Sequence, residues 1–165
     1  MLFFLLLAIL TLAAALASRL GVPGLADWPA RMRLAMALAL LFIGSDHLVT
    51  PERYLPMMPD FVPYPFGVVI FTGLCEIAGG LGLLTRRLRK PAAIALAVYF
   101  AAVFPANIKN AVEGTAVEGL PTAQWYYWVR LLFQPIAIWW ALYAGGVIGP
   151  ARQRVATATQ PSGIG

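Results

Sequence analysis

The chain has 165 residues, of which 61% are hydrophobic and only 12% charged, and its mean hydropathy is +0.77. A soluble domain has about a quarter of its residues charged, so too little polar surface is left to face water; disorder needs the opposite composition, and the single Cys75 excludes a disulfide scaffold. A net charge of +5 in so apolar a chain encodes orientation in a bilayer rather than contact with nucleic acid, and the expected class is an all-α integral membrane protein.

Five apolar runs read as spans: residues 2–17, 34–49, 66–84, 92–108 and 126–148. The first ends in Ala15-Leu16-Ala17 before Ser18, which looks like a signal-peptidase site. No cationic stretch precedes Leu2, however, and removal would leave Arg31 and Arg33 on the outer side. It is therefore read as an uncleaved helix. The connectors carry the breakers: Gly21, Pro23, Gly24 and Pro29 in the first, and Pro51, Pro56, Pro59, Pro63 and Pro65 in the second. A proline density that high cannot be a helix interior. Pro91 is placed to open the fourth run, and Gly114, Gly119 and Pro121 precede the fifth. Residues 150–165 read as a disordered cytoplasmic tail.

Charge sorts by connector. Arg19, Arg31, Arg33, Arg86, Arg87, Arg89, Lys90, Arg152 and Arg154 fall on alternate connectors and the tail. Glu52, Asp60, Glu113 and Glu118 fall on the others, with Arg53 and Lys109. Basic residues mark the cytoplasmic side, so the expectation is a multi-pass protein of a bacterial inner membrane, amino terminus outside and carboxyl terminus cytoplasmic. Trp125, Tyr126, Tyr127 and Trp128 at one end of the fifth run, and Trp139, Trp140 and Tyr143 toward the other, read as interfacial belts. Small residues at Ala93, Ala97 and Ala101, and at Ala78 and Gly82, allow close helix contact.

Ionisable groups within a span are costly and usually face the bundle interior. Glu76 lies near the middle of its run, about 15 Å from either interface at helical rise. Asp46, His47, Asn107, Lys109, Arg130 and Gln134 lie at outer ends or in outer halves, and Arg130 and Gln134 share one helix face. Polar residues confined to one half suggest an outward-opening cavity with Glu76 at its floor, lined by His47, Glu76, Asn107, Arg130 and Gln134, with Asp46 and Lys109 as accessories. The competing reading is a satisfied network in which Glu76 pairs with Arg130 or His47 and no ligand enters. His47 could also simply reach headgroups, and Lys109 is expected to snorkel outward. One histidine and one cysteine do not make the usual zinc, haem or copper ligand set, and no metal or catalytic residue is assigned. Cys75 reads as packing, as do Gly79, Gly80 and Gly82.

The stretches Gly44-Ser45-Asp46-His47-Leu48 with Pro51, Thr72-Gly73-Leu74-Cys75-Glu76-Ile77 with Gly79, Gly80 and Gly82, and Phe104-Pro105-Ala106-Asn107-Ile108 resemble the DoxX-like family of small bacterial membrane proteins. The resemblance covers residues 33–148. It implies a four-helix membrane bundle over residues 31–149, to which residues 1–20 add an amino-terminal transmembrane helix. It also implies association with a membrane oxidoreductase and with quinone, although no redox centre is visible in the chain itself. Three functions stay open: a membrane accessory or binding subunit whose cavity holds a small amphiphile such as a quinone or lipid, a structural or assembly factor without ligand, and a small proton-coupled transporter. None makes the chain an enzyme on its own.

Overall fold

The computed structural model describes residues 2–114 and 123–149; the expected tail, with Arg152 and Arg154, and the connector residues Glu118, Gly119 and Pro121 lie outside the described residues. Among these the chain is helical and has no strand: α1 (Leu2–Arg19), α2 (Trp28–Val49), a 3-10 helix (Pro51–Met57), α3 (Pro65–Leu84), α4 (Arg89–Ala102), α5 (Phe104–Glu113) and α6 (Gln124–Ala144). Three helical stretches are long and apolar enough to cross a membrane: Trp28–Val49, Pro65–Leu84 and the bent Arg89–Glu113. Their outward faces carry exposed Leu38, Phe42, Leu74, Leu81, Ile94 and Val98, which suits lipid and not water.

Local chemistry moves two boundaries from those the apolar runs give. α2 starts at Trp28 because Asp27 caps it, its side chain accepting from the Ala30 amide at 2.8 Å with Pro29 in the first turn. The run 92–108 is not one helix. Pro105 has no amide to continue the ladder, so α4 ends at Ala102 and α5 begins at Phe104 with the proline in its first turn. α5 then stops at Gly114, whose φ of +63° provides the left-handed turn. The proline-rich connector contains no α-helix, but Pro51–Met57 winds into a 3-10 helix that carries Arg53 and Tyr54 back over the end of α2.

α2 touches α1, α3 and α6; α4 touches α3 and α6. A single apolar core joins them: Leu7 of α1, Met36, Ala39 and Leu40 of α2, Leu83 of α3, Leu96 and Phe100 of α4, and Ala137 and Ala141 of α6. At one end of this core arginines satisfy carbonyls, Arg33 reaching the Ala144 carbonyl at 3.0 Å and Arg31 the Leu25 and Ala26 carbonyls and Ser18. Trp140 Nε1 donates to the Met32 carbonyl beside them.

Burial narrows two of the expectations. Trp125, Trp128 and Trp139 are exposed, but Tyr126 and Tyr127 are buried and pack with Ala111 of α5. A tyrosine ring is apolar enough to fill a helix contact, so position near a helix end did not decide its side. Of the small residues, Ala93 meets Gly145 and Gly82 meets Ala92, whereas Ala78 and Ala101 are exposed.

Candidate functional site

The site begins with two glycines. A Cβ on Gly44 of α2 would stand 2.7 Å from the Gly73 carbonyl oxygen and 3.1 Å from Glu76 Cβ. A Cβ on Gly73 of α3 would stand 2.7 Å from His47 Cβ and 2.8 Å from the Gly44 carbonyl oxygen. The two backbones therefore touch, as small residues permit. His47 follows Gly44 by the same spacing at which Glu76 follows Gly73, so each polar side chain fills the notch left by the other helix's glycine. Further along the same crossing, Gly80 lies against Ala37, again with no room for a side chain.

That crossing brings His47 Nδ1 to 3.0 Å from Glu76 Oε2, with both residues buried. The Tyr99 hydroxyl of α4 donates to the other carboxyl oxygen, Oε1, at 2.8 Å. Glu76 thus holds three helices together through one carboxyl group. Its partner is His47, not Arg130. A buried group of this kind is tolerable only when its acceptors are filled, as they are here.

Tyr54 covers the pair. Its ring lies on the His47 imidazole with centroids 3.9 Å apart, and its hydroxyl donates to Asp46 Oδ2. Asp46 also accepts from Arg53, at 2.8 and 3.1 Å, and from Thr50 at 3.1 Å. Asp46 therefore does not touch its neighbour His47; it anchors the 3-10 helix, and Tyr54 is the bridge between them. Burial, and then the bond to Asp46, push the Tyr54 phenol above its ordinary value, so the hydroxyl stays a donor.

A second polar group sits at the α4–α5 break. A helix that ends leaves its last carbonyls without intrahelical partners; Gln134 Nε2 of α6 donates to the Phe100 carbonyl, and Gln134 Oε1 accepts from Asn107 Nδ2 at 3.1 Å. Arg130 lies one turn earlier on α6. Lys109 does not reach outward as its length allows. It folds onto the connector, donating to the Met58 carbonyl at 2.8 Å and to Asp60, with Glu113 at 3.8 Å.

His47, Glu76, Asn107, Arg130 and Gln134 all line one cavity of about 460 Å³. The walls are otherwise apolar, with Met57, Met58 and Phe61 from the connector, Val69 from α3, Phe100 from α4 and Phe3 and Phe4 from α1. Volume and lining both fall in the range of small-molecule sites. Asp46 and Lys109 lie outside the lining; each fastens a connector residue instead. Sequence reading had not picked out Tyr54, Tyr99 or the Phe100 carbonyl. For Tyr99, a hydroxyl within an apolar run was the available signal.

The chain belongs to the family described as Domain of unknown function (DUF8561), which matches residues 36–145. The match runs from within α2 to the end of α6 and so contains every polar residue of the site, while α1, with the cavity walls Phe3 and Phe4, precedes it. No curated protein and no solved structure matches the chain.

Proposed function

We propose that this protein is a DoxX-like, multi-pass subunit of a bacterial inner membrane whose outward-facing cavity binds a small amphiphile, a quinone or a lipid. In this reading α2, α3, α4–α5 and α6 form the four-helix bundle and α1 is the additional span. The mutual contacts among α2, α3, α4 and α6, with α1 against α2, support that arrangement. The orientation rests on the sorting of Arg19, Arg31, Arg33 and the 86–90 cluster to one end and of Glu52, Asp60 and Glu113 to the other. A membrane oxidoreductase is the partner that the resemblance suggests for such a subunit.

The observation that carries the reading is the cavity itself: apolar walls with a few convergent polar groups, placed among membrane helices. The residues present suit a quinone, whose ring fits apolar walls and whose carbonyl oxygens accept hydrogen bonds; the second ring nitrogen of His47 and the Arg130 guanidinium are the donors at hand. A quinone would supply the redox chemistry, and Glu76 with His47 could hold or give up a proton at its edge. A second reading, an assembly factor without ligand, is favoured by one fact: both oxygens of Glu76 already have protein partners.

The two readings separate in one experiment. Protein purified in mild detergent is extracted into organic solvent and analysed by mass spectrometry, beside Ala106→Trp, which fills the cavity from its lining. A cavity site predicts a bound amphiphile near one equivalent in the native protein and its loss in the variant. Equal traces of bulk lipid in both would leave the assembly factor. Orientation is read separately, with single cysteines at Asp60 and Arg87 in a Cys75→Ala background: an impermeant maleimide labels the first in intact cells and the second only after permeabilisation.

A further inference from the structure

Arg130 is the cation of the cavity, and among the described residues it makes no ion pair and no hydrogen bond. Among the described residues, the ionisable groups that act on it are phenols: Tyr126 and Tyr127 from its own helix, and Tyr54 from the connector. Among the described residues, the buried or paired carboxyl groups of this end are engaged elsewhere. Glu76 is held by His47 and Tyr99, Asp46 by Arg53, Thr50 and Tyr54, and Asp60 and Glu113 by Lys109. Glu52 is exposed on the 3-10 helix.

A guanidinium does not shed its proton within the range proteins experience. Among apolar walls it must instead be neutralised by an anion or hydrated through an open mouth. The neighbouring amides of Asn107 and Gln134 commit one N–H each, to Gln134 Oε1 and to the Phe100 carbonyl; the N–H that each keeps is a neutral donor and cannot compensate the charge.

We propose that the cavity selects an amphiphile with an anionic head, a carboxylate or a phosphate, whose oxygens pair with Arg130 while its apolar body lies along Met57, Phe61, Val69 and Phe100. This rests on the reading of the cavity as an amphiphile site and narrows it. A planar guanidinium gives two parallel N–H bonds to a carboxylate or phosphate, whereas a neutral carbonyl takes one bond and leaves the charge uncompensated. The apolar walls in turn exclude free phosphate or acetate as the main occupant, because a cavity of about 460 Å³ would be left unfilled.

The test uses the full chain in phosphatidylcholine nanodiscs, titrated at pH 8 with oleate, a short-chain phosphatidate, oleyl alcohol and a decyl-benzoquinone, and followed by tryptophan fluorescence. The proposal predicts that oleate, phosphatidate or both bind at least tenfold more tightly than oleyl alcohol. The stronger of the two anions identifies the source of the head group, a fatty acid or a phospholipid. Arg130→Gln should remove that preference and Arg130→Lys should keep part of it. Should oleyl alcohol or the benzoquinone bind as well as both anions, or Arg130→Gln keep the preference, the anionic head is wrong while the amphiphile cavity stands. Binding of none of the four overturns both. The comparison of oleate with oleyl alcohol on the native protein decides the matter even if a variant fails to fold.

Discussion

His47 Nδ1 and Glu76 Oε2 lie 3.0 Å apart because the side chains occupy each other's glycine notches, His47 over Gly73 and Glu76 over Gly44. The pair is thus a product of backbone contact between α2 and α3, and the polar site and the helix crossing are one structure. Tyr99 then brings α4 to the same carboxyl group, and Tyr54 closes the pair from the connector.

If the notches hold the crossing, filling one should damage stability out of proportion to its size. Gly73→Ala places a methyl group 2.7 Å from His47 Cβ and 2.8 Å from a carbonyl oxygen, neither of which can retreat without moving a helix. Overpacking of this kind costs about 1–3 kcal/mol, and the detergent-solubilised protein should melt several degrees lower. Gly67→Ala, on the same helix with nothing within 4 Å, should be neutral or slightly stabilising. Equal melting of the two variants would contradict the notch account.

The break at Pro105 and the Gln134 side chain should be coupled. Gln134→Leu strips the Phe100 carbonyl and Asn107 of their partner, at about 1–3 kcal/mol for each buried group left unsatisfied. Pro105→Ala restores an amide for the Ala101 carbonyl and lets the ladder run on through Val103, so that the Phe104 amide can reach the Phe100 carbonyl. The double variant should therefore be more stable than the sum of the single effects requires. A double-mutant cycle with no coupling would show that Gln134 is not the cap of the broken helix.

Tyr54 should give stability a pH dependence in the alkaline range. Its phenol is raised above the usual 10.0 by burial and by the bond to Asp46. A folded-state pKa above the unfolded one contributes stability that is fully present below pH 10 and is lost as pH rises through the folded value. Below pH 9 the native protein should exceed Tyr54→Phe by about 1 kcal/mol, the net worth of a hydrogen bond. From pH 10 upward that advantage should shrink. Chemical denaturation of both proteins from pH 7 to 11 reads it directly, and parallel curves would contradict the assignment.

Much of the site could be read from the chain because its polar residues interrupt apolar runs, and a bilayer makes such interruptions costly. His47, Glu76, Asn107, Arg130 and Gln134 were all marked that way, and they share one cavity. What hydropathy could not reveal was partnership. Glu76 could reach His47 or Arg130 by helical arithmetic, and the equal Gly-to-polar spacing in α2 and α3 is the feature that decides for His47. Tyr99 was hidden for a different reason: a tyrosine counts as apolar in a run, yet it is the hydroxyl that matters at Glu76; Tyr54 lay in the proline-rich connector, where no periodicity points to Asp46. The bend at Pro105 was hidden because apolar character continues across it while the hydrogen-bond ladder does not.

The central claim is that an amphiphile occupies the cavity, and photo-crosslinking tests it most directly. A diazirine-bearing fatty acid is irradiated with the protein in nanodiscs and the adducts are located by peptide mass spectrometry. The account predicts adducts on the cavity walls, at Met57, Met58, Phe61 and Phe100, diminished by Ala106→Trp. Adducts confined to the outward faces, at Leu38, Ile94 and Leu132, and unchanged by that substitution, would contradict it.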